Sequence, residues 1–270
     1  MRELWIAFIL GVVEGLTEFA PISSTGHMII VDDLLLQSKN YFSSEVANSF
    51  KIVIQLGSIL AVVIVFKNRF KQLLLPSDAP KGQKRLSFTH IIIGLIPAGV
   101  LGILFEDVID AHLFSVKTVV IGLIAGAILM MLADWKAKRQ TAIQSIDQLT
   151  IKQAFLIGLF QCLSLWPGFS RSGSTISGGV ILGISHRTAA DFTFIMAVPI
   201  MLGASLISLK DHWAYFQWNA LPFFICGFIS AFVFALISIR FFLVLIDKIK
   251  LTPFALYRMV IAGIISLTFL

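Results

Sequence analysis

Charged side chains are scarce in this sequence. Asp, Glu, Lys and Arg make up 13% of its 270 residues, against about 25% in an ordinary soluble domain, while 57% of the residues are hydrophobic. So few charges cannot cover a water-facing surface, and we expect lipid to surround much of the chain. Cysteine is scarce as well: Cys162 and Cys226 lie in separate apolar runs, which excludes a disulfide framework and a cysteine-based metal site.

The charge that is present is mainly positive, with a formal net charge of +6. A basic protein can bind nucleic acid, but here Lys and Arg cluster in short loops between apolar runs. That pattern is typical of the cytoplasmic loops of membrane proteins. We therefore expect membrane lipid, and no nucleic acid, as a partner.

Long apolar runs dominate the rest of the sequence. A membrane helix needs about 20 mostly apolar residues. Two apolar regions, 4–36 and 151–184, are each interrupted in the middle by Pro, Ser, Thr and Gly. We predict an all-α integral membrane protein, a polytopic helical bundle with six spanning helices and two interrupted, re-entrant helical regions. The predicted spans are 50–66, 90–105, 116–135, 192–209, 221–241 and 253–270.

Basic residues also predict the orientation of the bundle, because cytoplasmic loops carry an excess of Lys and Arg. Three loops have this excess and are expected in the cytoplasm, whereas the loop around Glu106 and Asp107 is acidic and expected outside. The basic residues are Lys67, Arg69, Lys71, Lys81, Lys84 and Arg85 in the first loop, Lys136, Lys138, Arg139 and Lys152 in the second, and Arg240, Lys248 and Lys250 in the third.

The two interrupted regions align with each other when the chain is shifted by 147 residues. Each half then has one interrupted region followed by three spans, and an odd number of spans inverts the second half. We predict an inverted-topology repeat, with a first repeat over 1–135, a cytoplasmic linker over 136–150 and a second repeat over 151–270; chance similarity is the alternative. Such repeats place polar sites at their interface. Matching pairs include Ala7 and Ala154, Gly11 and Gly158, Ser23 and Ser170, and Gly26 and Gly173.

The first motif runs from Glu14 to His27. Glu14 and Glu18 are four residues apart and project from the same face of a helix, which Pro21 ends or bends. A hydroxyl-rich turn follows, and the backbone N–H groups at the start of the next helix attract phosphate. The candidate site residues in this motif are Glu14, Glu18, Ser23, Ser24, Thr25 and His27.

The second motif, from Trp166 to Gly179, repeats this design with a Pro-Gly break followed by hydroxyls. Arg171 adds a planar, permanently charged group that suits phosphate oxygens. Placing Glu14, Glu18 and Arg171 in a membrane costs up to about 10 kcal/mol in total on insertion scales, so they must be paired, hydrated or metal-bound. They either form a functional site or merely pair to join the two halves. The candidate residues here are Ser170, Arg171, Ser172 and Thr175, with Gln161, which aligns with Glu14.

These motifs closely resemble the signatures of the undecaprenyl-diphosphate phosphatase family, also called the BacA/UppP family. Glu14–Phe19 and Ser23–His27 match the first signature, and Pro167–Thr175 matches the second. The resemblance extends to Val53–Ala61, Ala197–Pro199 and Pro253–Arg258. It implies an enzyme of the bacterial cytoplasmic membrane that hydrolyses undecaprenyl diphosphate to undecaprenyl phosphate and inorganic phosphate. This would recycle the lipid carrier of cell-wall synthesis and give resistance to bacitracin.

The resemblance also implies a site open to the periplasm and activity supported by Mg²⁺ or Ca²⁺. As a hypothesis, Glu14 and Glu18 bind this cation or serve as a base. Ser24 or His27 attacks the terminal phosphorus or activates a water, with Ser24 the preferred nucleophile. The remaining candidates would bind the diphosphate, namely Ser23, Thr25, Gln161, Ser170, Ser172 and Thr175, together with the catalytic Arg171.

Two further expectations follow from the residues. Inverted repeats with broken helices are typical of transporters, so a polyprenyl-lipid flippase without hydrolytic activity is the alternative function. The spacings Gly122-x-x-x-Gly126 and Gly179-x-x-x-Gly183 allow close helix packing, from which we expect a homodimer. Arg258 enters the last span, and we interpret it as an anchor at the membrane interface.

Overall fold

The computed structural model describes residues 2–38, 41, 44–74, 85–113, 115–137, 143–212 and 220–269. Most of these residues are helical, and the β-structure among them is one bridge between Ile143 and Ile184. The helices are α1 (Arg2–Thr17), α2 (Ser24–Met28, continued by a π-helical stretch, Ile29–Leu36), α3 (Ser44–Val65), α4 (Lys67–Leu74), α5 (Phe88–Leu113), α6 (Val116–Ala137), α7 (Ile151–Cys162), α8 (Arg171–Ile181), α9 (His186–His212), α10 (Leu221–Ile249) and α11 (Thr252–Phe269).

The number of long apolar helices agrees with the predicted polytopic bundle. Helices α5, α6, α9, α10 and α11 are long and apolar enough to cross a bilayer, and the number is six if α3 and α4, which meet at a 79° bend, count as one span. Several helices continue past the apolar run that predicted them, as α10 does beyond residue 241. The prediction of an all-α, multi-pass membrane protein is therefore confirmed.

The second interrupted region, 151–184, forms a hairpin that begins and ends at the same end of the bundle. Ile143, shortly before the hairpin, pairs with Ile184 at its close. The Gln153 amide near the start of α7 donates to the Leu182 carbonyl at 3.4 Å, just past the end of α8. At the tip the chain turns through Gly168, whose φ of 89° favours glycine. The hairpin thus returns to the end at which it begins, as a re-entrant region must, and its position in the membrane stays a prediction.

In the first hairpin, 4–36, helix α1 packs along α10 and runs parallel to it. The Cys226 thiol donates to the Leu4 carbonyl near the start of α10, and the Ser238 hydroxyl donates to the Leu16 carbonyl 12 residues further on. A Cβ added at Gly11 would lie 2.5 Å from the Gly227 carbonyl oxygen, so the close approach of α1 to α10 requires glycine. In the other half α7 packs in the same way on α5.

The described residues of the basic loops lie together at one end of the bundle, here called the basic face. Arg69 pairs with Asp147 at 3.0 Å, and Asp134 accepts from the Thr252 backbone N–H at 2.7 Å and lies 2.7 Å from His186. The second hairpin opens on this face, where α10 also ends. The first hairpin begins beside the start of α10, so the two hairpins enter from opposite ends.

Opposite entry of the hairpins is the arrangement that an inverted repeat produces. The repeat boundaries and the side of the membrane that each face occupies stay predictions. Four of the basic residues used for orientation, Lys81, Lys84, Lys138 and Arg139, lie outside the described residues.

Candidate active site

Both hairpins turn at a serine with a left-handed backbone. Ser23 has a φ of 68° and Ser170 a φ of 73°, a region that residues other than glycine rarely adopt. Each serine caps the short helix that follows: Ser23 Oγ accepts from the Gly26 N–H at 3.4 Å, and Ser170 Oγ accepts from the Gly173 N–H at 3.2 Å. Backbone strain of this kind is concentrated at functional sites. The aligned serines therefore fix the starts of α2 and α8.

The tips of the two hairpins meet inside the bundle. Arg171 Nη2 donates to Glu18 Oε1 at 3.1 Å, and the Ser24 hydroxyl donates to Glu18 Oε2 at 2.7 Å. The Ser172 hydroxyl donates across the same junction to the Ala20 carbonyl at 3.2 Å. The side chains of Arg171 and Glu18 are 14% and 10% exposed. A hydroxyl, a carboxylate and a guanidinium thus form one connected, largely buried group.

A cavity of about 280 Å³ lies beside this group. Arg171 Nη1 is buried and has no hydrogen-bond partner among the described residues, so the guanidinium retains a free donor. Arg171 also lies on the cavity wall, where its guanidinium can meet a bound anion. The cavity wall is formed by Glu18, Ser23, Ser24, Thr25, Gln55, Ser164, Trp166, Pro167, Gly168, Ser170, Arg171, Ile200, Met201 and Ala204.

Four further predicted residues are buried and do not line the cavity, namely Glu14, Gln161, Ser172 and Thr175. Glu14, which is 6% exposed, lies one helical turn before Glu18 and close enough to interact electrostatically with Glu18 and Arg171. Thr175 Oγ1 donates to the Arg171 carbonyl at 2.8 Å and accepts from Thr193 at 2.9 Å. Ser172 and Thr175 hydrogen-bond to backbone carbonyls, and Gln161 is 1% exposed with no hydrogen-bond partner among the described residues. That these three residues bind the substrate stays a prediction.

His27 is held away from the cavity by both of its ring nitrogens. Nδ1 lies 2.8 Å from the Ser23 carbonyl oxygen, and Nε2 lies 2.8 Å from the Tyr257 hydroxyl oxygen. The imidazole also stacks on the Tyr257 ring. In this arrangement His27 links α2 to α11 and is not among the described residues of the cavity wall. Sequence reasoning missed the role of Tyr257, although it lies in one of the segments that carry the family resemblance.

Arg258 is not the interfacial anchor that we expected. It is 0% exposed, and its Nη2 donates to the Gly168 carbonyl at 2.8 Å and to the Gly122 carbonyl at 3.2 Å. A Cβ added at Gly126 would lie 2.4 Å from Nη2 of Arg258. Arg258 therefore holds the second turn against α6, in the space that these glycines leave.

The small-residue motifs are used inside the chain. Gly122 and Gly126 face the second turn and Arg258, and a Cβ at Gly179 would lie 2.8 Å from the Cβ of Ala189. These glycines pack within the chain, so the two motifs no longer support the homodimer that we expected from them.

The carboxylates fit a cation that is shared with a phosphate ligand. The described residues contain no group of three or more His, Cys, Asp or Glu side chains that could hold a metal by themselves. Mg²⁺ at phosphate sites commonly uses one or two carboxylates together with oxygens of the phosphate. Glu18 lies on the cavity wall with Glu14 behind it. These two carboxylates suit a cation that phosphate oxygens also bind, and not a site made of protein ligands alone.

Comparison with known proteins gives matches over nearly the whole chain. The family model described as bacitracin resistance protein BacA matches residues 7–265. A protein of Geobacillus kaustophilus named undecaprenyl-diphosphatase is 66% identical over 264 residues, which cover 97% of each chain. Proteins of the same name from Bacillus subtilis and Exiguobacterium sibiricum are 65% and 59% identical over 270 residues, covering 98% of this chain and 98% and 97% of the relative.

Proposed function

We propose that this chain, which belongs to the bacitracin resistance protein BacA family, hydrolyses undecaprenyl diphosphate to undecaprenyl phosphate and inorganic phosphate. The observation that carries the proposal is the contact of Glu18 with both Ser24 and Arg171 beside a polar cavity. The activity recycles the lipid carrier for cell-wall synthesis and accounts for resistance to bacitracin.

Arg171 binds the diphosphate in this proposal. Its free Nη1 donates to a phosphate oxygen, and its charge offsets the charge that develops on the phosphoryl group during transfer. Ser23, Thr25 and Ser170 lie on the wall of the same cavity and present hydroxyls to the remaining oxygens.

Ser24 is the nucleophile that the geometry favours, since an activated hydroxyl needs a base within about 2.6–3.2 Å and Glu18 Oε2 lies 2.7 Å away. Ser24 Oγ forms a bond to the terminal phosphorus as the bond to the bridging oxygen breaks. The hydroxyl proton passes to Glu18 and then to the departing undecaprenyl phosphate. In the second step water attacks the phosphoserine, and its proton returns through Glu18 to Ser24 Oγ as inorganic phosphate leaves.

A divalent cation, Mg²⁺ or Ca²⁺, is part of the proposal. Glu18 would hold it with Glu14 behind, and when bound it neutralises charge on the phosphate oxygens.

The bacterial cytoplasmic membrane is the proposed location, with the cavity open to the periplasm. The basic face is cytoplasmic by the excess of Lys and Arg in its loops. The cavity residues Ile200, Met201 and Ala204 lie in the half of α9 remote from that face. Ala204 is 18 residues along α9 from His186, or about 27 Å at 1.5 Å per residue.

Phosphate release by purified protein in detergent tests the function. We expect release from undecaprenyl diphosphate, reduced when a chelator is present and restored by Mg²⁺ or Ca²⁺. A flippase without hydrolytic activity would release none under these conditions, because detergent removes the two sides of a membrane. Rapid quenching should trap a phosphoserine at residue 24; direct attack by water would give product without it.

A further inference from the structure

A second cavity of about 260 Å³ lies between α5 and the tip of the second hairpin, and we call it the apolar groove. Its lining is hydrophobic throughout, apart from the thiol of one cysteine. The lining residues are Leu101, Phe105, Ile109, Leu113, Cys162, Leu163, Leu165 and Trp166.

Trp166 lines both the apolar groove and the polar cavity. Its indole N–H donates to the Thr118 carbonyl at 2.9 Å, which fixes the ring as a wall between the two spaces. On the side of the apolar groove opposite the hairpin tip, the backbone of α5 is not helical at Phe105, where φ is −119° and ψ is 15°. Phe105 and Leu163 remain 49% and 41% exposed, so the groove is open along one side to lipid.

From this continuity we propose that the apolar groove binds the polyprenyl tail of the substrate, beyond the first isoprene unit. The inference rests on the proposed function. A tail that is covalently joined to a diphosphate in the polar cavity must leave along a surface that adjoins it. The first unit passes Trp166, and the following units lie against Leu101, Phe105 and Leu165.

The groove serves mainly to orient the substrate. Lipid is as apolar as the groove, so transfer of the tail from lipid into it gives little hydrophobic gain. Contacts along the tail instead hold the terminal phosphorus in line with Ser24, and small errors in such positioning slow catalysis strongly. The effect should therefore depend on tail length.

Two glycines of α5 offer a matched pair of variants. A Cβ at Gly102 would lie 3.5 Å from Leu165 Cδ2, beside the groove, whereas a Cβ at Gly99 meets nothing within 4 Å. Gly102→Leu should lower kcat/KM for undecaprenyl diphosphate by about tenfold or more, the usual effect of a misfitted apolar pocket. It should leave kcat/KM for dimethylallyl diphosphate, which has one unit, unchanged. Gly99→Leu should change neither value.

Equal losses with both substrates, or no loss with either, would overturn the groove assignment. If the wild-type protein released phosphate from neither substrate, the proposed function would fail instead. In that case the groove can still be tested by measuring whether a bound lipid protects the Cys162 thiol from alkylation, because this measurement does not require the protein to release phosphate.

Cys162 lines the groove, and Cys226 lies elsewhere on α10; both are free and partly buried. Undecaprenyl phosphate at saturation should slow alkylation of Cys162 by a small apolar maleimide about tenfold, without slowing that of Cys226. Inorganic phosphate should slow neither. Unchanged labelling of Cys162, or equal protection of both thiols, would contradict binding of the tail in the groove.

Discussion

The Glu18 carboxylate lies 3.1 Å from the Arg171 guanidinium, although 153 residues separate them and their hairpins enter from opposite ends of the bundle. Removing one partner of a buried ion pair typically costs about 3–5 kcal/mol, because the other charge is left unpaired. Any change at this pair therefore affects both the junction of the hairpins and the chemistry. Glu18→Gln keeps the size of the side chain and a hydrogen-bond acceptor, and Arg171→Lys keeps the positive charge, so that these two variants separate the two effects.

Glu18→Gln should reduce phosphate release at least about 100-fold, the effect expected when a general base is lost. The amide still accepts a hydrogen bond from Arg171, so the protein should fold. Glu106→Gln, an exposed residue of α5, is the matched control and should have normal activity. Near-normal release by Glu18→Gln, with the thermal midpoint unchanged, would exclude Glu18 as the base.

Arg171→Lys should reduce release about 100-fold to 1000-fold while retaining the positive charge. Lysine lacks the second nitrogen that serves the phosphate in our proposal, and loss of one such donor has this effect in other enzymes. Arg240→Lys changes an exposed arginine of α10 and controls for the substitution itself. Full activity in Arg171→Lys would mean that charge alone, without the planar guanidinium, suffices.

Arg258→Met should lower the thermal midpoint as well as activity. The Gly168 and Gly122 carbonyls would lose their shared donor, and each unsatisfied buried group costs about 1–3 kcal/mol. Arg258→Lys should restore part of the stability, because an ammonium still reaches one carbonyl. A normal midpoint and normal release in Arg258→Met would show that Arg258 does not hold the second turn.

Tyr257→Phe tests the link from His27 to α11. Loss of one hydrogen bond of about 1 kcal/mol should lower release about fivefold. The double variant with His27→Ala should be no worse than His27→Ala alone, since the tyrosine acts through the imidazole. Tyr41→Phe, at the mouth of the first hairpin, is the control. Independent, multiplicative effects would mean that the two side chains act separately.

Much of the architecture could be predicted because it depends on local chain chemistry. Pro21 and the Pro167–Gly168 pair interrupt apolar runs that are otherwise long enough to span, and the structure has a hairpin at each. The cost of unpaired charge in lipid required Glu18 and Arg171 to find partners, and they pair with each other. The motif also predicts that Ser24 lies in the site, and its hydroxyl donates to Glu18; its role as nucleophile stays a prediction.

The remaining features depend on how distant helices dock. Arg258 follows Tyr257 at the start of an apolar run, where an arginine often reaches the interface. Its burial depends on the space that Gly126 leaves on α6. Nothing in the sequence around Arg258 indicates that this distant glycine lies opposite it. Similarly, the Ser172 hydroxyl donates to the Ala20 carbonyl of the other hairpin, a partner 152 residues away in the sequence.

A double-mutant cycle between Glu18 and Arg171 tests the central claim most directly, with phosphate release from undecaprenyl diphosphate as the readout. Residues that act as one unit give strongly non-additive effects. We expect the release rate of Glu18→Gln with Arg171→Lys to be close to that of the slower single variant. Losses that multiply, as they would for independent sites, would contradict a single catalytic group formed where the two hairpins meet.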